Sequence, residues 1–337
     1  MTNSKKIFKP NPDLHLLDQV REVLRYYHYA YKTEQTYCEW IIRYIKFFNN
    51  EKHPRNMGRK EIDSFLSHLA IKRNVAASTQ RQALNAIVFL YSRVLDMPIE
   101  NIDPVKAKKL VRPPVVMTKK EVQLVLKEMK GINLLMAKLL YGAGLRLMEC
   151  LRLRVQDIDF EVNLLYIRGA KGNKDRTTIF PKQIKEELKA VIEKVKDIHE
   201  QDLADGFGKV YLPDALPIKY KNASKEIGWQ YIFPAKHLSL DPRAKIKRRH
   251  HLLESSLQKA VKAAVKRTGI IKPVRCHTFR HSFATHMLED GANIRAVQKL
   301  LGHADVKTTE IYTHVMENNI SKLSSPLDTL YYGAQPE

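Results

Sequence analysis

Helical periodicity dominates the chain and leaves room for little β-structure. Apolar residues recur three and four positions apart in "LLDQVREVLRYYHYA", "YCEWIIRYIKFFNN", "GRKEIDSFLSHLAIKRN" and "ASTQRQALNAIVFLYSRVL", and Ser78 is expected to cap the last of these helices. The convincing strand pattern is one hairpin, with "LLYIR" and "RTTIF" as strands and "GAKGNKD" as the turn. These patterns predict a mainly α fold with a small antiparallel β-sheet, an α+β arrangement.

A basic, proline-containing segment divides the chain. "NIDPVKAKKLVRPPVVMT" lacks a helical stripe and is typical of an extended linker. We therefore predict a helical N-terminal domain over residues 1–101, a linker over 102–117, and a second domain over 118–337 that begins with a helix capped by Thr118. Regular periodicity is lost from about residue 201 to 251, which indicates an inserted subdomain, and a tail follows from about 318 to 337.

The charge balance indicates a polyanionic partner. Lysine and arginine total 58 against 36 aspartates and glutamates, a formal net charge of +22. Cations that neutralise phosphates release counterions, so nucleic acid is favoured. Anionic lipid is a weaker alternative, because no basic amphipathic terminal helix or lipidation motif is present.

Other sequence features predict a cytoplasmic location. No run of 18 or more apolar residues indicates a membrane span, and the first residues do not form a secretory signal. The three cysteines are scattered and form no CxxC pair, which fits a reducing compartment.

Tyr312, in "LGHADVKTTEIYTHV", is the candidate nucleophile. A phenol has an ordinary pKa of ~10, so it needs help to lose its proton at neutral pH. An attacked phosphodiester gains negative charge and requires fixed cationic donors, and the departing sugar oxygen requires an acid. Taken alone, a tyrosine is more often a core residue, so its role depends on the groups around it.

Two arginines can provide the fixed cationic donors that the attacked phosphate requires. Arg146 follows a glycine-rich turn in "YGAGLRLMECLRL", and Glu149 lies three residues later on the same helical face. A simple surface ion pair is the alternative for these two residues. In "HTFRH", His277 and Arg280 are three positions apart and therefore share a helical face.

The remaining groups come from two turns. His303 follows a glycine in "LGH", and Lys171 lies in the hairpin turn "GAKGNKD", where its amine could protonate the leaving oxygen. Lys174 is a competing candidate in the same turn. His281 and His286 lie near His277, but no cysteine or carboxylate completes a zinc site, so no metal is predicted, and His281 is expected to support the site from behind.

Together these groups resemble the active site of the tyrosine recombinase (integrase) family. The residues that carry the resemblance, in family order, are Arg146, Lys171, His277, Arg280, His303 and Tyr312. The N-terminal helices resemble the family's core-binding domain more loosely. The resemblance implies a 3′-phosphotyrosyl intermediate at Tyr312 and rejoining without metal, ATP or other cofactor.

The family also implies a role for each group. Arg146 and Arg280 would hold the phosphate, and Lys171 would protonate the 5′-oxygen. His277 would act on the tyrosine proton, and His303 would hydrogen-bond the phosphate.

The insertion resembles the segment that distinguishes integron integrases from Xer-type relatives. That resemblance implies that the protein binds two kinds of DNA: gene-cassette sites that fold from single-stranded DNA, and a duplex site. The flat rings of Tyr211 and Tyr220 could contact unstacked bases. The predicted DNA-binding residues of the insertion are Trp229, Lys245, Lys247, Arg248, Arg249, His250 and His251. For Trp229, packing on the domain core is an equally good interpretation, and the basic run could be a solvated face.

Several functions share these features. The leading hypothesis is an integron-type DNA recombinase that acts as a homotetramer on two synapsed sites, with no small-molecule substrate. The alternatives are a Xer-like or phage-like recombinase on duplex sites, a type IB topoisomerase, and a non-catalytic DNA-binding architectural protein. A bacterial, nucleoid-associated protein is expected in the leading case.

Overall fold

The chain forms two structural units, each with its own apolar core. The computed structural model describes residues 8–107, 114–170, 174–213, 216–303, 305, 307–310 and 312. One unit is Met1–Arg112 and the other is Pro113–Glu337. Helices predominate, and the strands form two small antiparallel sheets, which confirms the predicted fold class.

Four α-helices lie in the part of the N-terminal unit that the structure describes. They are α1 (Leu16–Tyr26), α2 (Tyr31–Phe47), α3 (Arg59–Ile71) and α4 (Ala77–Phe89), and a π-helical turn over Leu90–Val94 follows α4. Their apolar faces enclose a core that includes Ile41, Leu66 and Ile87. The capping prediction for Ser78 is wrong, because α4 begins one residue earlier and Ser78 lies inside its first turn.

Nine helices of the second unit fall within the part of the chain that the structure describes. They are α5 (Lys119–Lys127), α6 (Gly131–Gly142), α7 (Leu147–Leu151), α8 (Lys185–Ala204), α9 (Leu216–Lys219), α10 (Glu254–Thr268), α11 (Cys276–Glu289), α12 (Ile294–Leu301) and α13 (Lys307–Glu310). Helix α5 starts as predicted, because the Thr118 hydroxyl accepts a hydrogen bond from the backbone N–H of Glu121. Helices α6 and α11 contribute Leu139 and Phe279 to the core.

The predicted hairpin belongs to a three-stranded sheet. Its strands are β1 (Ile158–Asp159), β2 (Leu164–Ala170) and β3 (Lys174–Ile179), in the order β1-β2-β3. Leu165 of β2 pairs with Thr178 of β3, and both side chains are buried. This pairing places β3 so that its inward face points toward the turn after α6, where the Thr178 hydroxyl donates to the carbonyl oxygen of Ala143.

A second hairpin lies in the region predicted to be irregular. Strands β4 (Pro234–Leu240) and β5 (Lys247–His251) pair in antiparallel fashion. Strand β5 could not be predicted from periodicity, because "KRRHH" has no alternation of apolar and polar residues. The strand is held by ion pairs of its arginines instead of by apolar burial. A small cluster of Val210, Leu212, Ala223 and Tyr231 packs beside this hairpin.

Two further observations concern the whole of the described chain. The three cysteines are buried and unbridged. Among the described residues, no helix has the length and apolar character needed to cross a membrane.

Candidate active site

The turn before α7 presents Arg146 and also holds Arg280. Gly144 has φ +63°, a conformation that favours glycine, and an added Cβ would lie 2.5 Å from the Phe283 ring. The carbonyl oxygen of Gly144 accepts a hydrogen bond of 2.6 Å from Nη1 of Arg280. A single glycine turn therefore sets the relative position of the two predicted arginines.

Glu149 lies between the same two arginines. Its Oε1 accepts a 2.7 Å hydrogen bond from Nη1 of Arg146, and its Oε2 lies 3.7 Å from Nη1 of Arg280. The backbone N–H of Arg146 also donates to Oε2, at 2.8 Å. Glu149 thus draws both guanidinium groups into one cluster.

Arg176 is a third arginine in this cluster, and it was not among the predicted site residues. Its two terminal nitrogens donate to both oxygens of Glu149, at 2.9 and 2.7 Å, and its Nε donates to the carbonyl oxygen of Leu300. The alternation of side chains along β3 could have predicted that Arg176 lies at the site. Arg176 is two residues from Thr178 on β3, so it shares the inward face of that strand, where a charged residue requires a partner.

The ionisation of Glu149 follows from these contacts. Burial by itself would raise its pKa, but hydrogen bonds and charge from Arg176, together with hydrogen bonds from Arg146, lower the pKa to about 2. The carboxylate is therefore charged at neutral pH and compensates part of the positive charge of the arginine cluster.

Arg280 is almost completely buried, with 1% of its surface exposed. Besides Gly144, its guanidinium donates to the carbonyl oxygen of Leu301 and lies 3.3 Å from Nε2 of His303. Burial, and then the neighbouring charge of Arg146, lower its pKa. A guanidinium keeps its charge at neutral pH even so, and backbone carbonyls fix its orientation.

His303 directly follows Gly302, the left-handed residue that ends α12. Because a guanidinium can only donate, Nε2 of His303 accepts from Arg280, and Nδ1–H donates to the hydroxyl of Thr309 at 2.9 Å. Burial, followed by the charges of Arg280 and Arg146, lowers the pKa of His303 to about 4. The imidazole is thus neutral, with both ring nitrogens in use.

Tyr312 packs against α11 with its hydroxyl on His281. The Tyr312 ring is 2% exposed, and its hydroxyl lies 2.5 Å from Nδ1 of His281. Burial raises the pKa of Tyr312 to about 12, although the charges of Arg280 and Arg146 act in the opposite direction. The expectation that His281 only supports the site from behind is corrected here, because its ring contacts the phenol oxygen.

The other two predicted catalytic residues are His277 and Lys171, and of these only His277 falls within the part of the chain that the structure describes. The ring of His277 lies edge-on to that of His281, with 4.5 Å between the ring centres. The hydrogen bond of the Tyr312 hydroxyl goes to His281 and not to His277, which was expected to act on the tyrosine proton. Lys171 lies outside the described residues, as does the predicted tail at 318–337.

Three of the residues predicted to bind DNA form ion pairs or hydrogen bonds with other groups of the protein. Arg249 forms a two-pronged ion pair with Asp202 of α8, at 2.5 and 2.6 Å. Arg248 is buried and forms an ion pair with Asp241 at 3.0 Å. His251 is also buried, and its Nδ1 lies 2.7 Å from the carbonyl oxygen of Leu252. These contacts correct the interpretation of the whole basic run as a DNA-tracking surface, since internal carboxylates and carbonyls already use these groups.

The other four predicted DNA-binding residues differ in exposure. Lys245 and Lys247 are exposed at the turn of the β4–β5 hairpin, and His250 is half-buried against His251. The half-buried ring of Trp229 lies under the guanidinium groups of Arg154 and Arg168, at 5.5 and 5.7 Å. Arg154 also donates to the Trp229 carbonyl oxygen. This geometry favours the packing interpretation of Trp229.

The cluster is suited to chemistry at a phosphate. Guanidinium groups fixed by a carboxylate and by backbone carbonyls provide preorganised positive charge for non-bridging oxygens. A tyrosine hydroxyl with a neutral imidazole beside it provides a nucleophile and a proton acceptor. Among the described residues, no group of three histidine, cysteine, aspartate or glutamate side chains could hold a metal ion.

Comparison with known proteins identifies the family. The model of the phage integrase family matches residues 115–319, and that of the phage integrase N-terminal SAM-like domain matches residues 16–101. An integrase/recombinase of Escherichia coli is 43% identical over 324 residues, which is 95% of each chain. Tyrosine recombinase XerD of Halalkalibacterium halodurans is 31% identical over 303 residues, covering 86% of this chain and 88% of the relative.

Solved structures show the same fold at lower identity. XerH recombinase bound to difH substrate before cleavage matches with a TM-score of 0.56 and 19% identity, over 91% of this chain and 84% of that one. The Tn1549 transposon integrase in complex with transposon right end DNA matches with a TM-score of 0.58 and 13% identity, over 93% and 100%. The chain is therefore a tyrosine recombinase and belongs to the phage integrase family.

Proposed function

We propose that this chain is a site-specific recombinase that cuts and rejoins DNA strands through a 3′-phosphotyrosine at Tyr312. The observation that carries the proposal is the position of the Tyr312 hydroxyl, which lies 2.5 Å from Nδ1 of His281, the residue that follows Arg280 in α11. The charges of Arg280 and Arg146 also act on this hydroxyl, and they oppose the effect of burial on its pKa. A tyrosine buried as core filler has no need of two guanidinium groups nearby. A phosphodiester attacked by that hydroxyl does need them.

The proposed mechanism assigns tasks to the phosphate-binding groups and to the acid of the leaving oxygen. Arg146 and Arg280 hold the non-bridging oxygens, while Glu149 and Arg176 keep the clamp rigid. His303 donates to the same phosphate after Nε2 takes a proton and exchanges its contact with Arg280 for one with the phosphate. Lys171 protonates the 5′-oxygen as it leaves. The covalent phosphotyrosine retains the energy of the broken bond, so rejoining requires no ATP.

A nicked suicide substrate tests the chemistry. The wild-type protein should become covalently attached to DNA, because the released fragment diffuses away and cannot be rejoined. Tyr312→Phe should abolish attachment and retain binding in a gel-shift assay, and Arg280→Ala should slow attachment by about 10²–10³-fold. Attachment that survives Tyr312→Phe would place the nucleophile elsewhere, and a wild type that binds but never attaches would favour the architectural alternative.

The proposed substrate includes folded single-stranded cassette sites, as for integron integrases. The support is the insertion itself, which presents Tyr211, Tyr220, Lys245 and Lys247 to solvent. Aromatic rings and amines that are both exposed in one segment suit unstacked bases and a flexible backbone. Recombination at duplex sites is the alternative, and the 31% identity to XerD favours it.

A charge-matched pair of variants distinguishes the two substrates. Lys245→Ala with Lys247→Ala removes two exposed amines from the hairpin turn, and Lys259→Ala with Lys262→Ala removes two exposed amines from α10. We expect the hairpin variant to lose attachment to folded single-stranded sites while keeping attachment to duplex sites, and the α10 variant to treat both alike. Equal loss on both substrates in the hairpin variant would contradict the cassette-site proposal.

The assembly and domain roles are also part of the proposal. We propose a homotetramer on two synapsed sites, with the helical domain over residues 1–101 gripping DNA and the segment 102–117 acting as a basic strap. In this proposal the protein lies in the bacterial cytoplasm and associates with the nucleoid when it binds DNA. Mass measurement of the complex with two DNA sites tests the stoichiometry, and a stable complex with one or two copies would contradict it.

A further inference from the structure

The hydroxyl of Tyr312 has a specific partner that the proposed mechanism leaves without a task. Nδ1 of His281 lies 2.5 Å from the phenol oxygen, and the two ring centres are 5.6 Å apart. His281 is part of helix α11, one residue after Arg280, which the proposed mechanism places on the phosphate. The imidazole is thus positioned on the reacting oxygen by the same helix that positions the phosphate clamp.

We propose that His281 is the base that accepts the phenol proton of Tyr312 during strand cleavage. This inference rests on the proposed function, in which Tyr312 is the nucleophile. In the step, the Tyr312 O–H bond breaks and its proton moves to Nδ1 of His281 while the phenol oxygen bonds to phosphorus. The bond from phosphorus to the 5′-oxygen breaks, and that oxygen takes a proton from a separate acid. Rejoining reverses each transfer, and the imidazolium returns its proton to the phenol oxygen.

The other two histidines of the site are less well placed for this task. Both ring nitrogens of His303 are engaged, one by Arg280 and one by Thr309. His277 lies edge-on to His281. It is therefore suited to neighbour the base rather than to contact the phenol.

The electrostatic surroundings keep the pair neutral until a phosphate arrives. Burial, and then the charges of His277 and Arg280, lower the pKa of His281 to about 4, while burial raises the pKa of Tyr312 to about 12. Arg146, at the start of α7, is the other charged group acting on the phenol. A neutral imidazole can accept the hydrogen of a neutral phenol, and a negatively charged phosphate next to them would favour the imidazolium that forms.

Substitution of His281 by asparagine separates a base from a positioning group. The amide oxygen of His281→Asn can accept the hydrogen bond and hold the phenol, but it cannot take the proton. Single-turnover attachment is measured on a substrate with a 5′-bridging sulfur, because a thiolate leaves without an acid and the rate then reports on the nucleophile. His281→Asn should lower this rate by about 10²–10⁴-fold, the usual contribution of general base catalysis.

The pH profile gives a second, independent readout. From about pH 6 to 9 the wild-type pair stays neutral, since these values lie above the pKa of His281 and below that of Tyr312, so the rate should be nearly flat. Without a base, the rate follows the phenolate fraction and should rise about tenfold per pH unit in His281→Asn. A flat profile and a wild-type rate in His281→Asn would overturn the proposal and leave His281 as a positioning residue.

The chain provides a matched control on the same helix. His286 also makes a histidine–tyrosine contact, with its Nδ1 2.8 Å from the hydroxyl of Tyr141, but it is not part of the active-site cluster. His286→Asn should keep both the wild-type rate and the flat profile. A comparable loss in His286→Asn would mean that damage to α11, and not loss of a base, explains the result.

A chemical rescue covers the case in which His281→Asn perturbs the fold. Replacing Tyr312 by a fluorinated tyrosine lowers the pKa of the phenol, so the nucleophile depends less on a base. The fluorinated His281→Asn protein should recover most of the lost rate, and no recovery would contradict the base assignment. If the wild type forms no adduct, or Tyr312→Phe still does, it is the proposed function that fails and not the role of His281.

Discussion

The stability of the arginine cluster depends on pH through the ionisation of Glu149. Its pKa is about 2 in the folded protein, below its ordinary value of 4.5, because Arg176 and Arg146 surround the carboxylate. A lowered pKa adds stability that is present above pH 4.5 and is lost as the pH falls toward 2. The contribution at neutral pH is about 3 kcal/mol.

We predict that Glu149→Gln makes the unfolding free energy of the second unit lower at neutral pH and less dependent on pH between 4.5 and 2. Denaturant unfolding in a Trp40→Phe background measures this, because Trp229 is then the single tryptophan and reports on its own unit. Equal pH slopes in the parent and the variant would show that the carboxylate is not held by the arginines.

Gly302 allows Arg176 to approach the turn that carries His303. Its φ is +63°, and an added Cβ would lie 2.6 Å from Cδ of Arg176. We predict that Gly302→Ala lowers both the unfolding free energy, by about 2 kcal/mol or more, and the rate of covalent attachment. Gly269→Ala is the control, since Gly269 has φ +72° at the end of α10 with no atom within 4 Å of an added Cβ. If the two variants behave alike, backbone strain is the whole effect and the contact with Arg176 contributes nothing.

At the scale of elements, α5 is held at its start by a reciprocal pair of hydrogen bonds. The Thr118 hydroxyl accepts from the backbone N–H of Glu121, and the Glu121 carboxylate accepts from the backbone N–H of Thr118. We predict that Thr118→Ala destabilises the second unit by about 1 kcal/mol and that Thr118→Ser, which keeps the hydroxyl, has a much smaller effect. Thermal unfolding of both variants checks this, and an equal loss in both would assign the effect to the methyl group instead of the cap.

For the β4–β5 hairpin, the charge pattern of the sequence and the contacts in the structure support different roles. A run of basic residues favours a solvated or DNA-tracking surface, yet Arg248 and Arg249 are anchored on Asp241 and Asp202. The arginines therefore shape the hairpin, while Lys245 and Lys247 remain exposed at its turn. Both kinds of residue look the same in a charge pattern, because the pattern does not record which carboxylates lie opposite.

At the scale of the whole molecule, the formal charge of +22 predicts how DNA binding responds to salt. Each neutralised phosphate releases counterions, so the logarithm of the association constant falls linearly with the logarithm of salt concentration. With six to ten phosphate contacts, we expect the affinity to fall by about 10³–10⁵-fold between 50 and 200 mM salt. Fluorescence anisotropy with Tyr312→Phe, which avoids covalent attachment, measures the slope. Binding that changes little with salt would contradict an interface dominated by phosphate contacts.

The local spacing of residues in the sequence was sufficient to predict many of the helices and the motif residues. Periodicity predicted the four N-terminal helices, and Thr118 marked the start of α5. The short helix α9 lies in the segment without regular periodicity and was not predicted. The motif residues indicated the family. These features depend on residues a few positions apart, whose geometry a helix or turn already determines.

Only the tertiary structure decided which groups meet. Arg176 reaches Glu149 across 27 positions, and His281 reaches Tyr312 across 31, because packing of α7, β3, α11 and α12 brings distant segments together. The sequence by itself determined the candidate catalytic residues of the motifs and the local geometry of the helices and turns that carry them. The partners of those residues were decided by the fold, since a buried charge or hydroxyl must find its partner wherever packing places one.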